Sequence, residues 1–194
     1  MPMEAYLQRE FYEPMGWSIQ AICLYAVFAK SEIVPSNKDR FLRKETLQGF
    51  VHDEASAFFG GLAGNAGLFS TARDVACVYQ MLLNGGEIDG QRYLSKETCQ
   101  LFTTETSKIS RRGLGFDKPD ADDPKKGNCA PAAPAEVYGH TGFTGTCAWV
   151  DPVNELVYVF LSNRIYPDVT NRKLNQLHIR ERIQGAIYDA MKKK

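Results

Sequence analysis

No Cys-x-x-Cys pair occurs in the sequence, and its five cysteines, Cys23, Cys77, Cys99, Cys129 and Cys147, are an odd number. That pattern supports neither a zinc knuckle nor a disulfide framework, so buried free thiols are expected. Histidines are few, and His52, His140 and His178 stand too far apart to suggest a metal site; no metal and no organic cofactor is expected. Charge bias is missing too. Lys+Arg and Asp+Glu number 23 each, which leaves no global field for nucleic acid or an anionic membrane. No apolar run reaches membrane-spanning length, and no signal peptide is visible. A phosphate loop is rejected because no lysine follows Gly60, Gly61, Gly64 and Gly67 at the required position.

What is present is a 44% hydrophobic content in 194 residues, enough for a real core in a single domain or a large piece of one. Met3 to Tyr12 carries Tyr6, Leu7 and Phe11 at helical spacing and is stopped by Pro14-Met15-Gly16. Trp17 to Ala29 is apolar without a clean period, which leaves buried helix and buried strand both open. Ser31 to Lys44, polar and containing Pro35, reads as a surface loop.

Thr71-Ala72-Arg73-Asp74 is a capping-box pattern. Val75, Val78, Tyr79 and Leu82 follow it on one helical face, and Asn84-Gly85-Gly86 is a left-handed helix end. Asp89-Gly90 is a turn, and Ser95 caps a second helix with Cys99, Leu101 and Phe102. Gly113 to Phe116 reads as a short strand, and 117–136, rich in Pro, Asp and Lys, as an exposed loop. Two apolar strands, Cys147 to Val150 and Leu156 to Leu161, flank the turn Asp151 to Glu155 and make an antiparallel hairpin. The last helix carries Ile183, Ala186, Ile187, Ala190 and Met191, a stripe expected to pack in the core, before the basic end Lys192 to Lys194.

The stretch with chemical promise is Tyr138-Gly139-His140-Thr141-Gly142-Phe143-Thr144-Gly145-Thr146. Glycines at a strand entrance let a ligand approach the backbone, Thr141 and Thr144 add hydroxyls, and His140 can carry charge near neutral pH. Gly-Thr-rich turns also join strands with no chemistry attached, so other parts of the chain must decide.

Those other parts carry a resemblance. Gly60-Gly61-Leu62-Ala63-Gly64 leads to Gly67-Leu68-Phe69-Ser70-Thr71-Ala72-Arg73-Asp74 and then to Leu82-Leu83-Asn84-Gly85-Gly86. In this order the segments resemble the serine β-lactamase family, in its class C, DD-peptidase and esterase branch. His140-Thr141-Gly142 stands where that family places its third motif, Lys-Thr-Gly or His-Thr-Gly. Arg111 to Pro119 and His140 to Asn163 look closest to the β-lactamase-like module found C-terminal to family 3 glycoside hydrolases. The resemblance implies an α+β, β-lactamase/transpeptidase-like fold, here partial: antiparallel strands, part of the helical region and the C-terminal helix in one domain over 1–194.

The family's nucleophile lies in Ser-x-x-Lys, and here the pattern is absent. Ser18, Ser31, Ser36, Ser56, Ser70, Ser95, Ser107, Ser110 and Ser162 have no lysine three residues on, and no tyrosine has asparagine two residues on. Both motifs precede the matched region in the family, so the chain looks like the C-terminal portion of such a domain, without nucleophile or activating base. Only the third motif carries over. The resemblance implies that His140 polarises a substrate carboxylate or shuttles a proton and that Thr141 hydrogen-bonds substrate. Gly142, with Thr144 beside it, lets substrate approach, and the Phe143 N–H is one of two oxyanion donors.

The resemblance therefore implies the C-terminal portion of a serine hydrolase that transfers acyl groups from an amide, ester or D-amino-acid peptide, inactive alone. The alternative is a noncatalytic cell-wall-peptide binding or interaction module associated with a glycoside hydrolase. Export or a periplasmic location is implied by the resemblance. Without the strands that pair with Leu156 to Leu161 in the family, that strand is an exposed edge, and a homodimer or swapped element is expected to cover it.

Overall fold

The computed structural model of the protein describes residues 1–17, 28–104, 109–123 and 127–192, arranged in two compact units. The first comprises Met1–Asp74 with Asn163–Arg172, the second Val75–Ser162 with Lys173–Lys194.

In the first unit, α1 (Met3–Leu7) continues into a π-helical turn over Gln8–Tyr12, and Tyr12 stacks on Trp17 with ring centroids 4.4 Å apart. Residues 18–27, most of the apolar run whose structure the sequence leaves open, lie outside the described residues. The polar stretch Ser31 to Lys44 is not simply a loop: β1 (Pro35–Lys38) pairs antiparallel with β2 (Thr46–Gln48). Its strand character comes from pairing, since the Asn163 amide donates to the carbonyls of Pro35 and Ser36.

Asp39 organises the return from β1. One carboxylate oxygen accepts from the Phe41 and Leu42 amides at 2.9 and 3.0 Å, the other from Arg43 Nε at 2.6 Å. Arg43 then donates to the Val51 and His52 carbonyls at 2.9 and 2.8 Å, fixing the entry to α2 (Glu54–Phe58), which Asp53 caps through the Ser56 amide at 2.7 Å. In the glycine-rich stretch that follows, Gly67 has φ +119°, and a Cβ there would lie 2.2 Å from the Gly61 carbonyl oxygen. Only glycine fits such a crossing.

α3 (Ala72–Leu83) begins where the capping box places it, with the Asp74 amide donating to Thr71 Oγ1 at 3.1 Å. It ends on Gly85 and Gly86, with φ +68° and +94°. Its most buried apolar side chain is Met81, while Val75, Val78, Tyr79 and Leu82 are half-buried. β3 (Glu87–Ile88) and β4 (Gln91–Arg92) form a hairpin around Asp89-Gly90, both with positive φ, as a two-residue primed turn requires. α4 (Lys96–Thr103) is capped by Ser95 and buries Cys99, but Leu101 and Phe102 are exposed.

Two further expectations need correcting here. Gly113 to Phe116 is a turn rather than a strand, closed by the Gly113 amide on the Phe116 carbonyl at 3.0 Å. Strand pairing starts one residue later, where Asp117 bridges Gly139. The segment 117–136 is not exposed throughout, because Asp117, Lys118, Cys129 and Ala130 are buried. Their polar groups have partners: Asp117 takes Arg111 Nε at 2.8 Å and the Asn128 amide at 2.8 Å, and Lys118 Nζ reaches the Thr103, Glu136 and Val137 carbonyls. Burial opposes the charged form of Asp117, but Arg111 and Asn128 outweigh it and hold the carboxyl below its usual range.

The sheet of the second unit has the order β5-β6-β7, all antiparallel: β5 (Tyr138–Thr141), β6 (Cys147–Asp151) and β7 (Leu156–Phe160). Every residue of β6 is buried. Trp149, Cys147, Val137, Cys129 and Tyr158 form the core, with Phe160 and Ile187 packed against it, and each large side chain there contributes roughly 1.5–3 kcal/mol by leaving water. α5 (Lys173–Gln176) and α6 (Ile179–Met191) close the chain.

α6 corrects the sequence reading most clearly. Its buried residues are Arg180, Gln184 and Tyr188, while Ile183 and Met191 are each 37% exposed. Of the anticipated apolar stripe, Ile187 packs on the core. The polar face is buried because each member makes at least one hydrogen bond to a distant part of the chain or to α5. Tyr188 Oη donates to Asp151 Oδ2 at 2.8 Å, Gln184 Oε1 accepts from the Ala130 amide at 2.8 Å, and Arg180 donates to the Thr146 carbonyl and to Asn175 Oδ1.

Candidate functional site

β5 and the turn after it hold every site residue that the sequence suggests. β5 and β6 pair with Tyr138 opposite Val150, Gly139 opposite Trp149, His140 opposite Ala148 and Thr141 opposite Cys147. Gly139 is required at its place: a Cβ would lie 2.1 Å from the Ala148 carbonyl oxygen and 2.8 Å from Trp149 Cα. Because side chains alternate along a strand, the buried Tyr138 and the exposed His140 share one face, and the outer residue is the histidine.

His140 is solvent-exposed, not packed in the core. Its Nδ1 lies 2.7 Å from the Thr141 carbonyl oxygen. A carbonyl can only accept, so Nδ1 carries the proton of this contact. The ring is thereby oriented by its own strand.

Beyond Thr141 the chain makes a closed turn. The Gly145 amide donates to the Gly142 carbonyl at 3.0 Å, and the Gly142 amide donates to the Thr146 carbonyl at 2.8 Å. Phe143 and Thr144 are the two central residues, with the Phe143 side chain 59% exposed and Thr144 half-buried. Gly142 is half-buried, and a Cβ on it would meet Thr146 Oγ1 at 2.2 Å. Gly145, at φ +108°, turns the chain back into β6.

Two residues that sequence reasoning missed hold this turn from behind. Ser162 Oγ donates to the Gly145 carbonyl at 2.9 Å, and Arg180 Nη1 donates to the Thr146 carbonyl at 3.3 Å. No local signal marks them, because they lie 17 and 34 residues from the groups they hold. Across from Thr141, burial pushes the Cys147 thiol up to about 11, and in α3 it pushes the Tyr79 hydroxyl up to about 12.

Several described serines are committed to structural hydrogen bonds. Ser36 donates to the Phe50 carbonyl, Ser95 caps α4, Ser56 is fully buried beside Asn65, and Ser162 holds the turn. Among the described residues no group of three or more His, Cys, Asp or Glu could hold a metal ion, and no helix is long and apolar enough to cross a membrane.

Comparison with known proteins bears on the family and the fold. The family model described as Beta-lactamase matches residues 1–181. An Escherichia coli (strain K12) protein named "Putative D-alanyl-D-alanine carboxypeptidase" is 31% identical over 192 residues, covering 90% of this chain and 43% of the relative. A protein of the same name from Salmonella typhi is 32% identical over 193 residues, with the same coverage. The chain therefore spans less than half the length of these relatives.

Among solved structures, a β-lactamase from Mycobacterium bovis superposes with a TM-score of 0.59 at 19% identity, covering 96% of this chain and 55% of that one. A penicillin-binding protein homologue from Caulobacter crescentus superposes with a TM-score of 0.55 at 20% identity, covering 84% and 47%. At such identities the likeness concerns the fold. The family match over most of the residues, the order of the glycine-rich, helical and His-Thr-Gly segments, and these neighbours lead to one conclusion: the chain belongs to the β-lactamase family and has part of its β-lactamase/transpeptidase-like α+β fold.

Proposed function

We propose that this chain supplies the third-motif strand of a serine acyl-transfer site and that the serine and its base come from sequence beyond these 194 residues. The observation that carries the reading is the segment His140-Thr141-Gly142, exposed at His140 and half-buried at Thr141 and Gly142, running into the closed Gly142–Thr146 turn. On this reading the acyl carbonyl of the substrate lies against the turn, and the Phe143 N–H donates to its oxygen as charge develops there. Such a donor contributes roughly 3–4 kcal/mol of barrier, but only where a nucleophile attacks. The Thr141 and Thr144 hydroxyls hydrogen-bond the polar flanks of the substrate, and Gly142 admits it to the backbone. His140, with Nδ1–H committed to the Thr141 carbonyl, has Nε2 left: as an acceptor it takes a proton in transit, and once protonated its N–H donates to the substrate carboxylate.

The substrate class that fits best is a D-alanyl peptide or its β-lactam mimic, the class to which the names of the Escherichia coli and Salmonella relatives point. A kinship with the module that follows family 3 glycoside hydrolases, and an exported location, belong to the same proposal. So does pairing at β7, which has only β6 as a strand neighbour among the described residues and would be covered by a second copy of the chain or a swapped element. Light scattering that shows a monomer, with β7 amides unprotected in hydrogen exchange, would overturn that part.

The test is a chimera. The segment of the Escherichia coli relative that matches this chain is replaced by the chain itself, and labelling by a fluorescent penicillin is timed. The wild-type chimera should label, while His140→Ala and Thr141→Ala should each slow labelling by about 10²-fold. A folded chimera whose labelling ignores both substitutions would remove the third-motif strand from the chemistry.

A further inference from the structure

Resting on the acyl-transfer reading, we infer that Arg180, assisted by Ser162, is a positioning residue that sets the Gly142–Thr146 turn for catalysis. Arg180 is 7% exposed and makes no ion pair among the described residues. Its donors go to neutral oxygens: Nη1 to the Thr146 carbonyl at 3.3 Å and Nη2 to Asn175 Oδ1 at 3.2 Å. Its Nε is buried with no hydrogen-bond partner, and its own carbonyl accepts from Tyr158 Oη at 3.2 Å, which fixes the backbone that carries it.

A buried cation without a carboxylate is costly, and packing alone would be served as well by an apolar side chain. What an apolar side chain cannot do is hold a carbonyl. The carbonyl that Arg180 holds is the one that also accepts from the Gly142 amide at 2.8 Å, the bond that closes the turn next to Phe143. Ser162 Oγ holds the adjacent carbonyl, that of Gly145, at 2.9 Å. Two consecutive peptide units are thus held by Ser162, just beyond β7, and by Arg180 at the start of α6. The direction of the Phe143 N–H follows from the pose of these units. An oxyanion donor misplaced by about 1 Å costs about 10²-fold in rate, so a clamp here has a catalytic reason.

The experiment uses amide hydrogen exchange of the full 194-residue chain, comparing Gly142 with Trp149 in the middle of β6. Arg180→Met should speed exchange at Gly142 about tenfold more than at Trp149, and Arg180→Lys, which retains a donor, should restore most of the difference. Ser162→Ala should shift the same ratio in the same direction by a smaller factor. Tyr188→Phe, which loosens α6 at a point away from the turn, should leave the ratio unchanged. In the chimera, Arg180→Met should lower the maximal labelling rate about tenfold with the half-saturating penicillin concentration changed less than about twofold, and lysine should rescue it. An unchanged Gly142-to-Trp149 ratio in Arg180→Met would overturn the inference. A loosened turn with undiminished labelling would overturn it as well, whereas labelling that ignores His140→Ala and Thr141→Ala would instead overturn the acyl-transfer reading on which it rests.

Discussion

Removing a single oxygen from α6 tests how that helix is held. In Tyr188→Phe the ring remains but the bond from Oη to Asp151 Oδ2, 2.8 Å long, is lost. Both residues are buried, at 4% and 2% exposure, so water does not replace the donor. Asp151 keeps the Val153 and Asn154 amides on one oxygen and the Asn154 side chain on the other, and its own turn survives. Hydrogen bonds to charged groups contribute roughly 1.5–3 kcal/mol, and a middle figure of about 2 kcal/mol applies here. For a chain of this size about 2–4 °C is lost per kcal/mol, so Tyr188→Phe should melt about 4–8 °C below wild type in a thermal scan followed by circular dichroism. Ile183→Gln, on the apolar stripe that the structure leaves 37% exposed, should stay within about 0.5 kcal/mol. The reverse ranking, with Ile183→Gln the damaging change, would refute the polar docking of α6.

Two other outcomes follow from the geometry. Gly139→Ala drives a Cβ to 2.1 Å from a backbone oxygen that pairing holds in place, and should cost about 1–3 kcal/mol by overpacking; a melt within about 1 °C of wild type would contradict this. Arg43 beside Asp39 holds that carboxyl well below the usual carboxylate range, so the stability it contributes is present above the ordinary value near pH 4 and is lost as pH falls towards the lowered one. Arg43→Met should therefore flatten the pH dependence of the melting temperature between about pH 4.5 and 2, and an unchanged slope would contradict the pairing.

Local signals proved readable where they carry their own geometry. The start of α3 is written in Thr71 and Asp74, and its end in Gly85 and Gly86, because a cap and a positive φ need no distant partner. The β6–β7 hairpin was legible for the same reason, an apolar pair around a turn that Asp151 closes with its own side chain. Long-range matching was not legible. β1 has no β-branched residue and is a strand only through β2 and Asn163, more than a hundred residues away. α6 looks apolar on one stripe, yet its buried face is decided by Asp151, Ala130 and Thr146, all distant in the chain. The site divides in the same way: His140-Thr141-Gly142 can be read from the residues, whereas Ser162 and Arg180 become visible only once the turn's carbonyls have positions.

The central claim is that the strand His140 to Thr146 serves a reaction whose nucleophile lies outside these residues. Intact-mass measurement of the 194-residue chain after prolonged exposure to benzylpenicillin tests it directly. The account predicts the unmodified mass, with the penicilloyl adduct appearing only when a Ser-x-x-Lys segment is joined in the chimera and mapping there. A stoichiometric adduct on the chain alone, mapped to any of its own serines, would contradict it.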